Sequence, residues 1–157
     1  MDGGETDNSY TSKLTPVTEG EWAGWSWYPG GDPFEDLAGP FYFKVGEDGR
    51  PVCAFRAERK HMNGGMFMHG GCVMTFADFC LFVIARDAIQ DSRCVTATFN
   101  GEFVGSCGVG DLVECTGEVV KAGRSMVFVR GIISNASAGG QPMMSFSSVL
   151  KKTARPS

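Results

Sequence analysis

One nearly uninterrupted apolar segment constrains the fold more than any other feature of this sequence. Residues 70–88 contain no proline, and within residues 72–85 only Thr75 and Asp78 interrupt the apolar side chains. This pattern predicts a helix over residues 70–88 that is apolar all round, and such a helix has to be buried on all sides. A membrane span needs about 20 apolar residues, so we expect the helix to lie in the core of a soluble domain.

Segments rich in β-branched and aromatic residues lie on both sides of the predicted helix. The segments 41–45 and 51–58 bracket Asp48-Gly49 and predict a hairpin. Four more strands are predicted after the helix, at residues 94–104, 111–121, 124–134 and 142–151. Short turns make the last three strands neighbours. The sequence therefore predicts an α+β fold in which an antiparallel sheet of five to six strands wraps one long central helix.

The chain has 157 residues, a length typical of one domain, and its beginning differs in composition from the rest. We assign residues 1–40 to an irregular N-terminal arm and residues 41–157 to the domain. Three tryptophans lie in the arm among prolines and glycines, with no helical or strand period. We expect one helical turn near residues 33–37, and tryptophans that either pack over the sheet or line a ligand pocket.

Charge and cysteine content narrow the function classes. Lys and Arg total 14 and Asp and Glu total 18, so the net charge is −4, and a mildly acidic chain does not favour nucleic acid or an anionic membrane as a partner. The six cysteines include no CxxC pair, and we predict no metal site. The first residues lack the basic start and apolar run of a secretory signal, so we expect a cytoplasmic protein with reduced thiols.

Candidate chemistry is concentrated in residues 61–78. Both histidines of the chain, His61 and His69, fall in this segment, and Asp78 is the one charged residue inside the apolar part of the predicted helix. Burying an unpaired carboxylate is costly, and aspartate has no advantage in a helix interior. Asp78 is therefore a candidate general base. The alternative is a structural acid that is hydrogen-bonded within the core.

Gly70-Gly71 begins the predicted helix and offers a place for negative charge. The first turn of a helix has free N–H groups and a partial positive charge, and glycine lets a carbonyl approach closely. This favours an oxyanion site, with simple helix initiation as the alternative. Asp78 follows Gly70 by eight residues, about 12 Å along the axis at about 1.5 Å per residue. The two groups can meet at one site more easily when they come from the helices of two subunits than when they lie on a single helix. We therefore predict a homodimer, paired into a homotetramer.

These motifs, in this order, resemble a known family. The resemblance covers residues 41–152 approximately and rests on Asn63, His69-Gly70-Gly71, Asp78, Val95-Thr96, Asn100, Gly110-Asp111 and Gly123-Arg124-Ser125. Together they look like the hotdog-fold acyl-CoA thioesterases, and more closely the PaaI-like branch of the 4-hydroxybenzoyl-CoA thioesterase superfamily. The resemblance implies a curved antiparallel sheet around a central helix, subunits paired into dimers, and an acyl-CoA substrate. It implies no separate cofactor, because coenzyme A is part of that substrate.

The resemblance also implies roles for individual residues. Asp78 resembles the base or nucleophile, the Gly70 N–H resembles the oxyanion donor, and Asn63 resembles the residue that positions water or the carboxylate. Thr96 lies where some relatives place a Ser or Thr near the site. His69 is included among the candidate catalytic residues, with support of the loop as its favoured role.

Further residues are candidates for holding the substrate. Gly71 follows the expected oxyanion donor, Arg59 precedes it in the loop, and Arg124 and Ser125 follow a turn. Free cations suit the phosphates of coenzyme A. The alternative for the two arginines is a solvated rim.

Three functions fit this reading. The first is hydrolysis of an acyl-CoA thioester to free acid and thiol. The second is hydration or dehydration of an acyl thioester on the same fold, with His61 as base, although the helix begins with Gly-Gly rather than Pro-Gly and Asp78 lies later than the acid of those enzymes. The third is a non-catalytic acyl-CoA-binding subunit. Thiol release, enoyl hydration or binding without turnover separates the three.

Overall fold

The computed structural model describes residues 13–153, so residues 1–12 of the predicted arm and residues 154–157 of the predicted domain lie outside the described residues. Eight strands and one long helix make up most of the structure. The strands are β1 (Thr15–Pro16), β2 (Ser26–Trp27), β3 (Tyr42–Val45), β4 (Pro51–Arg56), β5 (Arg93–Phe103), β6 (Leu112–Ala122), β7 (Met126–Asn135) and β8 (Gln141–Thr153). The helices are α1 (Pro33–Ala38) and α2 (Gly70–Ile89), with 3₁₀ turns at Arg59–His61 and Ala136–Ala138.

All eight strands join one antiparallel sheet in the order β1-β2-β3-β4-β6-β7-β8-β5. The predicted hairpin before the helix is confirmed as β3 and β4, and the last three strands are neighbours as expected. Gly49 has a φ of +78° in the turn between β3 and β4, a conformation that glycine adopts without strain. The six strands β3 to β8 match the predicted number. The strands β1 and β2, two residues each, extend the sheet and were not predicted.

The long helix packs against one face of the sheet and forms the core with it. Phe76, Ala77, Cys80 and Leu81 are fully buried between α2 and the strands. The expectation that α2 is buried all round is wrong, because the sheet covers only one side of it. Met74 is 44% exposed, and the face that contains it also includes Gly71, Thr75, Asp78 and Phe82. This uncovered face of α2 contains Gly71 and Asp78, two of the residues that sequence analysis singled out for chemistry.

The helical turn predicted near residues 33–37 is confirmed as α1. The Asp32 side chain begins it by accepting hydrogen bonds from the Phe34 and Glu35 amides at 3.0 and 3.1 Å. The end of α1 is tied to the segment before α2, since His61 Nε2 bonds the Ala38 carbonyl at 2.7 Å and Lys60 Nζ donates to the Gly39 carbonyl at 2.5 Å. The arm is therefore docked onto the loop that leads to Gly70.

The aromatic residues of the arm pack over the edge of the sheet. Trp22 stacks on Tyr42 with ring centroids 4.3 Å apart, and Trp25 meets Trp22 edge-on at 5.2 Å. Tyr28 stacks on Phe43 of β3 at 5.6 Å. Of the two alternatives for the tryptophans, these contacts favour packing on the sheet.

No helix among residues 13–153 has the length and hydropathy needed to cross a membrane. The six cysteines, all within these residues, are free thiols.

Candidate active site

Asp78 lies in a cavity of about 670 Å³ between α2, the beginning of β5 and the arm. From α2 the cavity is lined by four apolar residues, of which Phe79 and Val83 form its buried floor, and by the charged residues Asp78 and Arg86. Its lining residues are Tyr28, Gly31, Asp32, Glu35, Asp78, Phe79, Phe82, Val83, Arg86, Ile89, Cys94, Val95 and Thr96. The arm thus forms one wall of the cavity. We call this space the acyl cavity, after the acyl group that the family resemblance leads us to expect there.

Asp78 is oriented by a hydrogen bond from the neighbouring strand. The Thr96 hydroxyl donates to Asp78 Oδ1 at 2.6 Å, a distance typical of hydrogen bonds to a carboxylate. The pairing of β5 with β8 shifts between Thr96 and Thr98, so that Ala97 forms a bulge. Bulges re-aim side chains in this way. The half-buried positions are Cys94 and Thr96 before the bulge and Phe99 after it, which shows the change of face.

The beginning of α2 is built by His69. The His69 Nδ1 atom accepts a hydrogen bond from the Gly71 amide at 2.9 Å and so caps the helix. A Cβ atom at Gly71 would lie 3.0 Å from that Nδ1 atom, which explains why glycine occupies the position. The Gly70 amide itself has no acceptor among the described residues. It is left open to a ligand at the positive end of a 20-residue helix.

Asn63 shapes the loop that precedes this helix. Its Oδ1 atom accepts hydrogen bonds from the Gly65 and Phe67 amides at 2.9 and 3.2 Å. Met66 takes a φ of +61° within the same turn. Because Oδ1 is occupied by the loop, the amide nitrogen of Asn63 is the atom that can act as a donor to another group.

A second cavity, of about 450 Å³, connects Asp78 with the helix start. Gly71, Thr75 and Asp78 all line it, since residues separated by three or four positions lie on one face of a helix. The structure therefore joins Thr96 to Asp78 by a hydrogen bond and gives Asp78 and Gly71 a shared cavity. Gly70, His69 and Asn63 lie at the beginning of the same helix, with Gly70 about 12 Å from Asp78 along the axis.

Three of the predicted substrate-binding residues lie outside both cavities. Arg59 is exposed in the 3₁₀ turn, and Arg124 and Ser125 lie in the exposed turn between β6 and β7. The Ser125 carbonyl accepts a hydrogen bond from the Lys152 amide at 2.8 Å, which fixes the turn to β8. Within a single chain these residues are therefore not part of the Asp78 site.

Both ring nitrogens of His61 are engaged. Nδ1 accepts from the Glu58 amide at 2.9 Å, and Nε2 donates to the Ala38 carbonyl at 2.7 Å. The ring is buried, and this burial lowers its pKa below the ordinary value despite the contact with the Ala38 carbonyl. His61 would have to give up a structural hydrogen bond to act as a base.

Sequence analysis offered the arm as a possible pocket wall but did not single out Glu35. Glu35, in the first turn of α1, lines both cavities together with Asp78. Burial raises the pKa of the Glu35 carboxyl to about 7, and the nearby Asp32, Asp78 and Asp36 carboxylates act in the same direction. The helical turn predicted near residues 33–37 was the signal in the sequence that could have pointed to Glu35. No periodicity in the arm indicates which side of that turn faces α2.

With the geometry in place, comparison with known proteins identifies the fold. The family model described as the thioesterase superfamily matches residues 65–139. A hypothetical thioesterase of Streptococcus pneumoniae, solved with coenzyme A, superposes with a TM-score of 0.64 at 19% identity, covering 74% of this chain and 88% of the other. This chain has the hotdog fold. The resemblance drawn from the sequence and the predicted α+β class are both confirmed.

Two further relatives agree with this hotdog assignment. The PaaI protein of E. coli, from the phenylacetic acid degradation operon, gives a TM-score of 0.59 at 18% identity, with 66% of this chain and 72% of the other covered. Human acyl-coenzyme A thioesterase 13 is 22% identical over 106 residues, which are 68% of this chain and 76% of the relative. The superfamily match contains Gly70, Asp78 and Thr96, and the arm lies outside it.

Proposed function

We propose that this chain hydrolyses acyl-CoA thioesters to a free acid and a thiol. The observation that carries the proposal is the Asp78 carboxylate, which accepts a hydrogen bond from Thr96 and lines a cavity whose floor, Phe79 and Val83, is apolar. A positioned carboxylate beside an apolar floor suits a general base that acts on a bound acyl group. The names of the relatives, human acyl-coenzyme A thioesterase 13 among them, support the same reaction class.

The proposed reaction assigns a step to each group. The acyl chain lies along Phe79 and Val83, and the thioester oxygen accepts a hydrogen bond from the open Gly70 N–H. Asp78 takes a proton from water as that water attacks the thioester carbon, and the C–S bond then breaks to release coenzyme A thiolate. A direct attack by Asp78, followed by hydrolysis of the anhydride, uses the same residues.

The proposed site is completed by a second copy of the chain. The strand β5 lies at the end of the sheet, and among residues 13–153 no strand pairs with its outer edge. Val95 and Phe103 of this strand are 51% and 54% exposed, and a long free edge of this kind favours pairing with another chain. Pairing there would bring the partner's helix start towards Asp78 and remove the 12 Å gap. Sedimentation of a stable, active monomer at micromolar concentration would refute this assembly.

Arg59 stays a candidate for the coenzyme A phosphates in such a dimer. It is exposed in the turn that leads to the Gly70 loop, whereas the neighbouring Lys60 is engaged with the arm. We expect Arg59→Gln to raise KM for acyl-CoA and to leave kcat unchanged. Equal KM values for the variant and the wild type would remove Arg59 from the substrate site.

Three measurements on the purified protein separate the competing functions. A panel of short, medium, long and aromatic acyl-CoAs is tested for thiol release, with enoyl-CoA hydration and acyl-CoA binding measured in parallel. We expect thiol release. Hydration without thiol release would favour the hydratase alternative, which the engaged ring nitrogens of His61 disfavour. Binding without turnover would favour the non-catalytic subunit.

A further inference from the structure

The arm places two further carboxyl groups beside Asp78. Glu35 and Asp32 line both the acyl cavity and the second cavity, as Asp78 of α2 does, and the Asp32 carboxylate caps α1 by accepting from the Phe34 and Glu35 amides. Glu35 is close enough to Asp78 for the charge of Asp78 to act on it. Glu35 lies in the arm, outside the residues 65–139 that the superfamily model matches.

Glu35 is held in place from both ends of its helix. At the beginning of α1, Asp32 Oδ1 accepts from the Glu35 amide at 3.1 Å. At its end, His61 and Lys60 bind the Ala38 and Gly39 carbonyls at 2.7 and 2.5 Å. The segment that leads to the open Gly70 amide therefore also fixes the position of Glu35. This arrangement is what a catalytic side chain requires, because small displacements reduce rates strongly.

We propose that Glu35 is a second catalytic residue, which donates a proton to the departing thiolate sulfur. The role rests on the proposed thioester hydrolysis and adds a step to it. Asp78 accepts a proton from the attacking water, and the C–S bond breaks as the Glu35 proton moves to sulfur. The products are the acid and the free thiol, and the proton on Asp78 returns to Glu35 through solvent, so that each turnover consumes one water.

The charges around Glu35 suit a proton donor. Asp32 and Asp36 flank it on the arm, and Asp78 faces it from α2; all three oppose its ionisation. Arg86 and the Tyr28 hydroxyl line the acyl cavity as well, so a cation is also present. Burial is the largest influence and raises the pKa of Glu35 to about 7. A carboxyl group whose pKa is raised by its surroundings is a recurring proton donor in acid–base catalysis.

The test varies the leaving group. Glu35→Gln keeps the shape of the side chain and removes the proton, and its kcat is measured on an acyl-CoA and on the same acyl group carried by a nitrothiophenol. Coenzyme A thiolate benefits from protonation, whereas the nitrothiophenolate leaves without it. We expect kcat to fall about 10²-fold on acyl-CoA and to stay near the wild-type value on the nitrothiophenyl thioester. The wild-type kcat on acyl-CoA should also decline above about pH 7, and Glu35→Gln should abolish that decline.

Three controls keep the result interpretable. Asp36→Asn changes the adjacent carboxylate, which accepts from the Gly30 amide at 3.1 Å and lines neither cavity of Asp78. Any loss in that variant should be equal for both thioesters. Glu35→Asp restores a carboxyl and should regain part of the leaving-group dependence. Melting temperatures of all variants show whether the arm remains docked.

Two outcomes would overturn the role of Glu35. An equal loss on both thioesters, or no loss on either, contradicts proton donation to sulfur. Asp78→Asn, measured beside these variants, distinguishes a failure of the Glu35 role from a failure of the proposed hydrolysis. If Asp78→Asn is inactive while Glu35→Gln is fully active, the proton-donor role alone is wrong. If Asp78→Asn is fully active, the proposed hydrolysis fails, and the role of Glu35 fails with it.

Discussion

The hydrogen bond from Thr96 to Asp78 gives the clearest single perturbation of the proposed site. Thr96→Val replaces the hydroxyl by a methyl group of similar size and keeps the β-branched shape that suits a strand. A hydrogen bond to a charged group contributes about 1.5–3 kcal/mol. If that free energy serves to aim Asp78 in the transition state, kcat falls about 10- to 100-fold, at about 1.4 kcal/mol for each factor of ten. KM should change little, because the apolar floor of the acyl cavity is unaltered.

Thr98→Val is the matched control for this variant. Thr98 lies on the same strand beyond the bulge, its side chain is exposed, and its carbonyl accepts a hydrogen bond from Ser148 Oγ at 2.5 Å. Steady-state thiol release gives kcat and KM for both variants, and thermal unfolding shows that both are folded. A Thr96→Val protein with the wild-type kcat would refute the idea that this bond aims a catalytic carboxylate. So would an equal loss of kcat in Thr98→Val.

Three further predictions follow from the contacts at the two ends of the site. Gly70→Val keeps the backbone N–H, but its side chain should crowd the thioester carbonyl away from that donor and lower kcat about 10²–10³-fold, as loss of an oxyanion donor does. Unchanged turnover in a folded variant would count against the Gly70 amide. His69→Ala removes the cap on Gly71 and should lower the free energy of unfolding by about 1 kcal/mol, or Tm by about 2–4 °C. Its kcat should fall much less than that of Gly70→Val. A fall in kcat as large as that of Gly70→Val would give His69 a direct role in the chemistry. Burial lowers the pKa of His61 in the folded chain, so its contribution to stability is present above about pH 6.5 and is lost at lower pH. The Tm difference between the wild type and His61→Gln should therefore shrink between pH 7 and pH 5. A constant difference would be evidence against this linkage.

The elements that could be predicted from the sequence are those with a strong period. The helix predicted for residues 70–88 is found at Gly70–Ile89, and the strand predicted for residues 111–121 is found at Leu112–Ala122. The alternation of apolar and polar residues at the beginning of β6 matches the burial of their side chains, since Val113 and Cys115 are buried and Thr116 is exposed. Local patterns of this kind survive folding because one face of each element has to meet the core.

The features that could not be predicted depend on contacts between distant residues. β1 and β2 are too short to have a period, and their pairing is decided by the sheet edge they meet. The prediction that α2 is buried all round is wrong because apolar residues also lie on the face of the helix that the sheet does not cover. The position of Glu35 beside Asp78 follows from the docking of α1 by His61 and Lys60, which no local pattern encodes.

The central claim, that Asp78 is the catalytic carboxylate of a thioester hydrolase, is tested most directly by Asp78→Asn. The asparagine keeps the volume and retains an oxygen that can accept from Thr96, so the fold should hold. We predict a kcat for acyl-CoA lower by about 10²–10⁴-fold, with a Tm at or above that of the wild type measured on the same sample. Asp91→Asn, at an exposed position just after the same helix, should match the wild type in both. Full activity per folded molecule in Asp78→Asn would contradict the account, as would a fall in Tm with activity lost only in proportion to unfolding.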